Sequence, residues 1–215
     1  MARENQSMGW AVVTAGEILI GLIATAEADQ SGLVANTNVD GPVLSFDWPA
    51  IEVGIGSYEE GPTGLTIIRF PKRATVVVDS RGGAPGTVNT DSLRLGYSRP
   101  FTDAIVFSGG SAYGEETITA VETGLKDDGV RSGDWLNVAF APGAIIYDFG
   151  GRRLNEIYPD KRLAQAALHA LRPGVFPLGA QGAWRCRAVF LAATPIPGKE
   201  VRSVSARPRS PLSSS

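Results

Sequence analysis

The chain has 215 residues, of which 43% are apolar and 20% charged, a composition ordinary for one globular domain with a sizeable core. Its formal net charge of -2 and its pI near 5.5 argue against nucleic acid or an anionic membrane as the main partner. The only cysteine, Cys186, cannot form an internal disulfide, and one histidine with no clustered thiols leaves a zinc site without ligands. No metal or organic cofactor is therefore expected.

The first 49 residues are predicted to be a leader and an entry loop, with residues 29–49 forming the loop. Residues 10–28 are mostly apolar and contain an Ala-Thr-Ala sequence that resembles a signal cleavage site, but Glu17 interrupts the apolar run. The uncharged part, residues 18–26, is too short to cross a bilayer. These features favour a cytoplasmic protein, with export as the alternative.

Strand patterns begin at Ile51. Residues 51–55 alternate as a half-buried strand does, and residues 59–64 form a turn, so a hairpin is predicted. Two further β-rich runs, at residues 65–70 and 74–78, are separated by Pro-Lys-Arg and precede a glycine-rich loop at residues 79–87.

Strands and helices alternate in the second half of the chain. Strands are predicted at residues 104–107 and 144–149, and helices at about residues 112–127 and 160–171, the second with Asp160 as N-cap. The apolar faces of the two helices are predicted to consist of Gly114, Ile118, Val121 and Leu125, and of Leu163, Ala166, Ala167 and Leu171. This order indicates layered α/β or α+β packing.

The junction between residues 104–107 and the first helix is a Gly-Gly-Ser-Ala-Tyr-Gly turn that starts at Gly109. A glycine turn at a helix start suits an anion or a developing oxyanion, but the glycine spacing matches neither nucleotide-binding pattern. A serine-hydrolase elbow is a second interpretation, with Ser111 as nucleophile, His169 as base and Asp148 as the third member. Tyr113 stands there in place of the small residue that such an elbow needs.

Five ordered motifs together resemble the amidohydrolase family of DmpA-type aminopeptidases, β-peptidyl aminopeptidases and nylon-oligomer (6-aminohexanoate-oligomer) endohydrolases. The resemblance runs from about Ile51 to Ala183. The motifs are Ile-Glu-Val-Gly with Tyr-Glu-Glu-Gly-Pro-Thr-Gly (from Ile51 and Tyr58), Asp-Ser-Arg-Gly-Gly-Ala-Pro-Gly-Thr (from Asp79), Ser-Gly-Gly-Ser-Ala-Tyr-Gly (from Ser108), Ala-Ile-Ile-Tyr-Asp-Phe (from Ala144) and Tyr-Pro-Asp-Lys (from Tyr158).

The resemblance implies an α+β fold, a four-layer αββα sandwich of which residues 50–183 would be the N-terminal (α-subunit) part. It also implies self-cleavage of a precursor and a new N-terminal Thr or Ser as the amide-cleaving nucleophile. A free α-amine has a pKa near neutrality and can serve as base for its own hydroxyl. By the same resemblance, Tyr113 and Lys161 are the catalytic residues, and the Gly109, Gly110 and Ser111 turn binds the substrate, a small peptide or an amide oligomer.

The resemblance fades after Ala183, and the family's nucleophile segment has no counterpart in this sequence. Residues 184–215 carry six Lys or Arg and one Glu, and this tail is predicted to be disordered or an aberrant reading frame. The expectation is a chain that is inactive alone and associates with a complementary subunit or with its own copies. A binding or assembly module without catalysis is the alternative.

Overall fold

The computed structural model describes residues 30–81, 86–97, 100–131, 137–148 and 156–185. The predicted leader at residues 1–28 and nearly all of the basic tail lie outside the described residues. The strands are β1 (Val43–Ser45), β2 (Glu52–Tyr58), β3 (Thr63–Thr75), β4 (Thr87–Val88), β5 (Phe101–Ser108), β6 (Gly143–Ile145), β7 (Arg172–Pro173) and β8 (Val175–Pro177), and the α-helices are α1 (Glu115–Asp127) and α2 (Lys161–His169).

Six strands form one sheet in the order β4-β6-β5-β3-β2-β7. The predicted hairpin is confirmed, since β2 pairs antiparallel with β3 from Glu52 opposite Arg69 to Tyr58 opposite Thr63. β3 is also antiparallel to β5, and β5 is parallel to β6. The carboxyl ends of β2, β5 and β6 therefore lie at one edge of the sheet.

β3 corrects the prediction of two separate strands at residues 65–70 and 74–78. It is one strand whose pairing with β5 shifts register between Arg69 and Ala74. Pro71 lies within this irregularity, because a proline has no N–H to donate to a regular ladder. The break in the sequence pattern thus marks an irregularity inside a strand, not a loop between two strands.

The predicted entry loop also contains a strand. β1 pairs antiparallel with β8 as a two-stranded ribbon, and Asn36 forms an isolated bridge with Ser57 of β2. These partners lie far along the chain from residues 29–49, so no local pattern indicates the pairing.

Both predicted helices are present with adjusted ends. Residues 111–114 form a 3-10 turn, so α1 begins at Glu115, and α2 ends at His169. Asp160 is the N-cap of α2, because its side chain accepts a hydrogen bond from the Leu163 N–H. The helices pack in parallel, with Glu116 contacting Lys161 at their starts and Asp128 contacting His169 at their ends.

The helices cover one face of the sheet and enclose the core. The core consists of Tyr58, Leu65, Ile67, Ala104, Val106, Ile118, Ala120, Val121, Leu125, Ala141, Leu163, Ala164, Ala167 and Leu168. On the opposite face, Ile68, Ile105 and Phe107 stay partly exposed, because the β1–β8 ribbon and the turn Gly182–Trp184 cover only part of it. The class is thus α+β as predicted. Among the described helices, none combines the length and the apolar character needed to span a membrane.

Candidate active site

The glycine turn that follows β5 is held by the buried carboxylate of Asp148. Its Oδ2 accepts hydrogen bonds from the Gly110 N–H at 2.9 Å and from the Thr63 hydroxyl at 3.0 Å. The Ser111 hydroxyl donates to Oδ1 at 3.2 Å and accepts from the Asp148 N–H at 3.0 Å. Asp148 is only 4% exposed. One side chain therefore joins the end of β5, the start of β3 and the segment after β6.

The turn itself requires glycine. Gly110 has φ +83°, and a Cβ there would meet the Pro159 Cδ at 2.6 Å. A Cβ on Gly109 would lie 2.6 Å from the Thr63 Oγ1 and 2.8 Å from the Asp148 Oδ2. Both glycines are needed because the backbone approaches its neighbours closely, and Gly110 also because it is left-handed. The turn ends in the 3-10 residues that carry Tyr113.

Tyr113 lies at the surface of this turn. Its side chain is 53% exposed, and its ring packs against Tyr158 with centroids 5.6 Å apart and planes tilted by 47°. Burial, and then the negative charge of Glu116, raise the pKa of the Tyr158 hydroxyl. Two tyrosines thus stand together beside the start of α1.

Lys161 is the first residue of α2, and its backbone is bonded to the first turn of α1. Its N–H donates to the Glu116 Oε1 at 3.0 Å. The preceding Asp160 accepts a 2.7 Å hydrogen bond from the buried Tyr58 hydroxyl, whose pKa is raised by burial and by this bond. Lys161 itself is exposed.

The structure brings the two predicted catalytic residues to one region through intermediate groups. Tyr158, three residues before Lys161, contacts the Tyr113 ring, and Glu116, three residues after Tyr113, accepts from the Lys161 N–H. Both residues lie beside the starts of parallel helices, where the helix dipoles favour negative charge. Joint contact of their hydroxyl and ammonium with a developing oxyanion stays a prediction.

The predicted substrate-binding residues have internal partners in this structure. The Gly109 N–H donates to the Gly64 carbonyl at 2.8 Å, the Gly110 N–H donates to Asp148, and Ser111 is 1% exposed. The structure gives these three residues the task of holding the turn, and their contact with substrate stays a prediction.

The serine-hydrolase interpretation is corrected by the geometry. His169 ends α2, is exposed, and lies 3.6 Å from Asp128. Asp148 bonds directly to the Ser111 hydroxyl, whereas a triad needs the histidine between the serine and the acid. Ser111 and His169 belong to opposite ends of the helix layer, since Pro159, beside Gly110, precedes the start of α2.

Sequence reasoning missed the roles of Thr63, Tyr58 and Glu116, and considered Asp148 only as part of a triad. The available signal was the position of Asp148 near the end of the strand predicted at residues 144–149. Within the described part of the chain, no group of three His, Cys, Asp or Glu side chains could hold a metal ion.

Comparisons with known proteins support the resemblance. The chain is 40% identical over 141 residues to the 6-aminohexanoate-oligomer endohydrolase of Paenarthrobacter ureafaciens, covering 66% of this chain and 37% of that protein. It is 41% identical over 140 residues to the 6-aminohexanoate-oligomer endohydrolase of Kocuria sp., covering 65% and 37%. An uncharacterized aminopeptidase of Mycobacterium tuberculosis is 40% identical over 87 residues, covering 40% of this chain and 25% of that protein. No family model matches the chain.

The fold is also found in a solved structure. A β-aminopeptidase of Burkholderia sp. superposes with a TM-score of 0.53 over 72% of this chain and 46% of that one, at 14% identity. The aligned region spans 37% of the length of two of the 6-aminohexanoate-oligomer endohydrolases that the chain matches. The matched part of the chain is homologous to 6-aminohexanoate-oligomer endohydrolases and to an uncharacterized mycobacterial aminopeptidase, and its fold is similar to that of a β-aminopeptidase.

Proposed function

We propose that this chain forms the α-subunit-like part of a self-processing amide hydrolase, in which Tyr113 and Lys161 serve amide cleavage. The observation that supports the proposal is that both lie beside the starts of parallel helices, linked through Tyr158 and Glu116, in a chain that is 40% identical over 141 residues to an endohydrolase. The proposed substrates are small peptides or 6-aminohexanoate oligomers, after the names of the relatives.

In the proposed reaction, an N-terminal Thr or Ser supplied by a further segment attacks the amide carbonyl. Its own α-amine takes the hydroxyl proton and passes it to the leaving amine as the C–N bond breaks. Water then hydrolyses the ester formed with the Thr or Ser oxygen, releasing the acid and restoring the hydroxyl. The Tyr113 hydroxyl donates a hydrogen bond to the oxyanion, and the Lys161 ammonium stabilises the same negative charge. Asp148 keeps the turn in place, so that Tyr113 need not reorganise during the reaction.

A complementary subunit is proposed to cover the open face of the sheet and to complete the four layers. A recess of about 330 Å³ lies on that face, and its walls include Val77, Ile105 and Phe107. Val77 is 51% exposed. Apolar surface of this kind is typical of a protein-protein contact.

The test is complementation. The 215-residue chain is co-expressed with the part of the Paenarthrobacter endohydrolase that it does not match, and amine release from 6-aminohexanoate oligomers is measured. We expect hydrolysis by the mixed complex, with kcat lowered about 100-fold or more by Tyr113→Phe and by Lys161→Ala. The matched controls are Tyr97→Phe and Lys72→Ala, which change an exposed tyrosine and an exposed lysine elsewhere and leave kcat within about twofold, as expected of surface substitutions.

Three other outcomes of these experiments would each favour a different conclusion. A stable complex without hydrolysis favours the binding or assembly module. Hydrolysis that is insensitive to Tyr113→Phe and Lys161→Ala contradicts the roles proposed for these residues. Fluorophosphonate labelling of Ser111 that is lost in His169→Ala supports the serine-hydrolase mechanism instead.

A further inference from the structure

A cavity of about 440 Å³ lies against the face of β2 that points away from the helices. The strand contributes Ile55 and Ser57 to its walls, and Glu59 follows at the next position of the same face. The remaining wall residues are Asn36, Asn38, Asp40, Gly41, Pro42, Leu178, Gly179, Ala180, Gln181 and Arg185. The volume is within the range of small-molecule sites.

Hydrogen bonds between distant segments hold these walls. The Gln181 side chain accepts from the Asp40 N–H at 3.1 Å and donates to the Leu178 carbonyl at 2.8 Å. Asn36 donates to the Glu59 Oε1 at 3.0 Å. Because these contacts join the segment before β1, the end of β2 and the segment after β8, the cavity is built by the fold and not by one loop.

Glu59 and Arg185 form an ion pair at the wall of the cavity. The Arg185 guanidinium donates to the Glu59 Oε2, while Asn36 supplies a further donor to the same carboxylate. Each of these two charges therefore already has a partner of opposite charge within the protein.

Other polar groups of the cavity, among them those of Ser57 and Asp40, are open. Ser57 is only 3% exposed, and its hydroxyl has no hydrogen-bond partner among residues 30–81, 86–97, 100–131, 137–148 and 156–185. The carboxylate of Asp40 also has no hydrogen-bond partner within those ranges, but, unlike Ser57, Asp40 is exposed. Buried hydroxyls normally have a partner, so the Ser57 hydroxyl, on the strand face that lines the cavity, indicates a missing one.

We propose that this cavity binds a small primary amine that carries a hydroxyl or carbonyl oxygen. The Asp40 carboxylate pairs with the ammonium, the Ser57 hydroxyl bonds to the oxygen, and Ile55 and Pro42 pack against the short carbon chain. An anion is disfavoured because Arg185 is held by Glu59 and Asp40 adds negative charge. The site goes beyond the proposed hydrolysis and does not depend on it.

The test uses the full chain, isotopically labelled, with 3-amino-1-propanol as probe and 1-propanol as the matched compound without an ammonium. We expect the amine to shift the backbone amide signals of Ser57 and Gln181, with a dissociation constant of about 1 to 10 mM for so few ligand atoms. 1-Propanol is expected to bind at least about threefold more weakly. Tyr113→Phe is expected to leave this binding unchanged even if it abolishes hydrolysis, so the two proposals fail separately.

Two variants locate the ligand. Asp40→Asn is expected to weaken amine binding about threefold to fivefold, whereas Asp91→Asn, an exposed aspartate outside the cavity, leaves it unchanged. Ser57→Ala is expected to weaken it about threefold without loss of folding, because the hydroxyl has no protein partner to lose. Absence of binding to the wild-type chain, equal binding of 1-propanol, or unchanged binding by Asp40→Asn overturns the proposal.

Discussion

Two buried aspartates lie at opposite ends of β5, and they hold the fold in different ways. Asp103, near the start of β5, is 2% exposed and accepts hydrogen bonds from Arg73, Arg131 and the Phe140 N–H. Asp148, at the other end, is 4% exposed and accepts from Thr63, Ser111 and the Gly110 N–H.

The difference lies in what each carboxylate holds. Asp103 receives two long arginine side chains at separations of 2.8 and 2.9 Å, and these can adjust without moving the strand. Asp148 holds the backbone of a tight glycine turn two residues before Tyr113. A disturbance of Asp103 is therefore expected to affect stability, and a disturbance of Asp148 the geometry of the candidate site.

The largest effect on stability is expected from Asp103→Ala. It leaves two partly buried arginines and the Phe140 N–H without their acceptor, so the free energy of unfolding should fall by about 4 kcal/mol in denaturant titration. Asp79→Ala, which breaks an exposed pair with Arg81, is the control and should change it by less than about 0.5 kcal/mol. Equal effects of the two substitutions contradict the structural role of Asp103.

Gly110→Ala should have the next largest effect on stability. It adds left-handed backbone strain and a contact with Pro159, together about 3 kcal/mol of unfolding free energy. Gly129→Ala is the matched control, because Gly129 has φ +78° and open space at its Cβ position, so it should cost only about 1 kcal/mol of strain. If both variants lose the same free energy, the close approach of Pro159 to the turn has no energetic weight.

Asp148→Asn should lower the free energy of unfolding by about 2 kcal/mol, because the amide offers one acceptor oxygen and turns its NH₂ group toward a donor. Its specific signature is local: amide hydrogen exchange at Gly110 should accelerate more than exchange in β5. Asp103→Asn is the comparison, and it should spare Gly110. Unchanged exchange at Gly110 in Asp148→Asn is the result that disagrees with this account.

The smallest expected effects are changes in folding stability with pH. Burial opposes ionisation of Asp103, but the bonds from Arg73, Phe140 and Arg131 outweigh it and hold the pKa of its carboxyl below the ordinary value. Its stabilisation is complete above the unfolded pKa, about 3.9, and is lost as pH falls through the lower folded pKa.

Glu122 should behave in the opposite way, because burial raises the pKa of its carboxyl from 4.5 although the Ala141 N–H and Asn89 donate to it. The stability that it contributes is complete below that unfolded pKa and declines as pH rises through the higher folded pKa. Denaturation should be measured from pH 2 to 7. Glu122→Gln should remove the decline of stability at rising pH, and Asp103→Asn should remove the loss of stability at low pH. The same pH profile in both variants is the outcome that excludes these assignments.

Much of the fold followed from local patterns. The β2–β3 hairpin, the core face of α1 and the Asp160 cap were predicted, because alternation, helical spacing and capping are properties of neighbouring residues. The β1–β8 ribbon and the continuity of β3 were not, since pairing partners far apart leave no periodic signal. In the candidate site, the motifs singled out Tyr113 and Lys161. The Asp148 contacts needed three dimensions, because Thr63, Ser111 and Asp148 are 37 to 85 residues apart.

The central claim is that Asp148 keeps Tyr113 in position for amide cleavage. The most direct measurement is the rate of 6-aminohexanoate-oligomer hydrolysis by the complemented chain, comparing Asp148→Asn with Asp103→Asn at a temperature where both are folded. We predict kcat about 100-fold below wild type for Asp148→Asn, as a displaced catalytic group would cause, and within about threefold for Asp103→Asn. Equal rates for the two variants would contradict the claim.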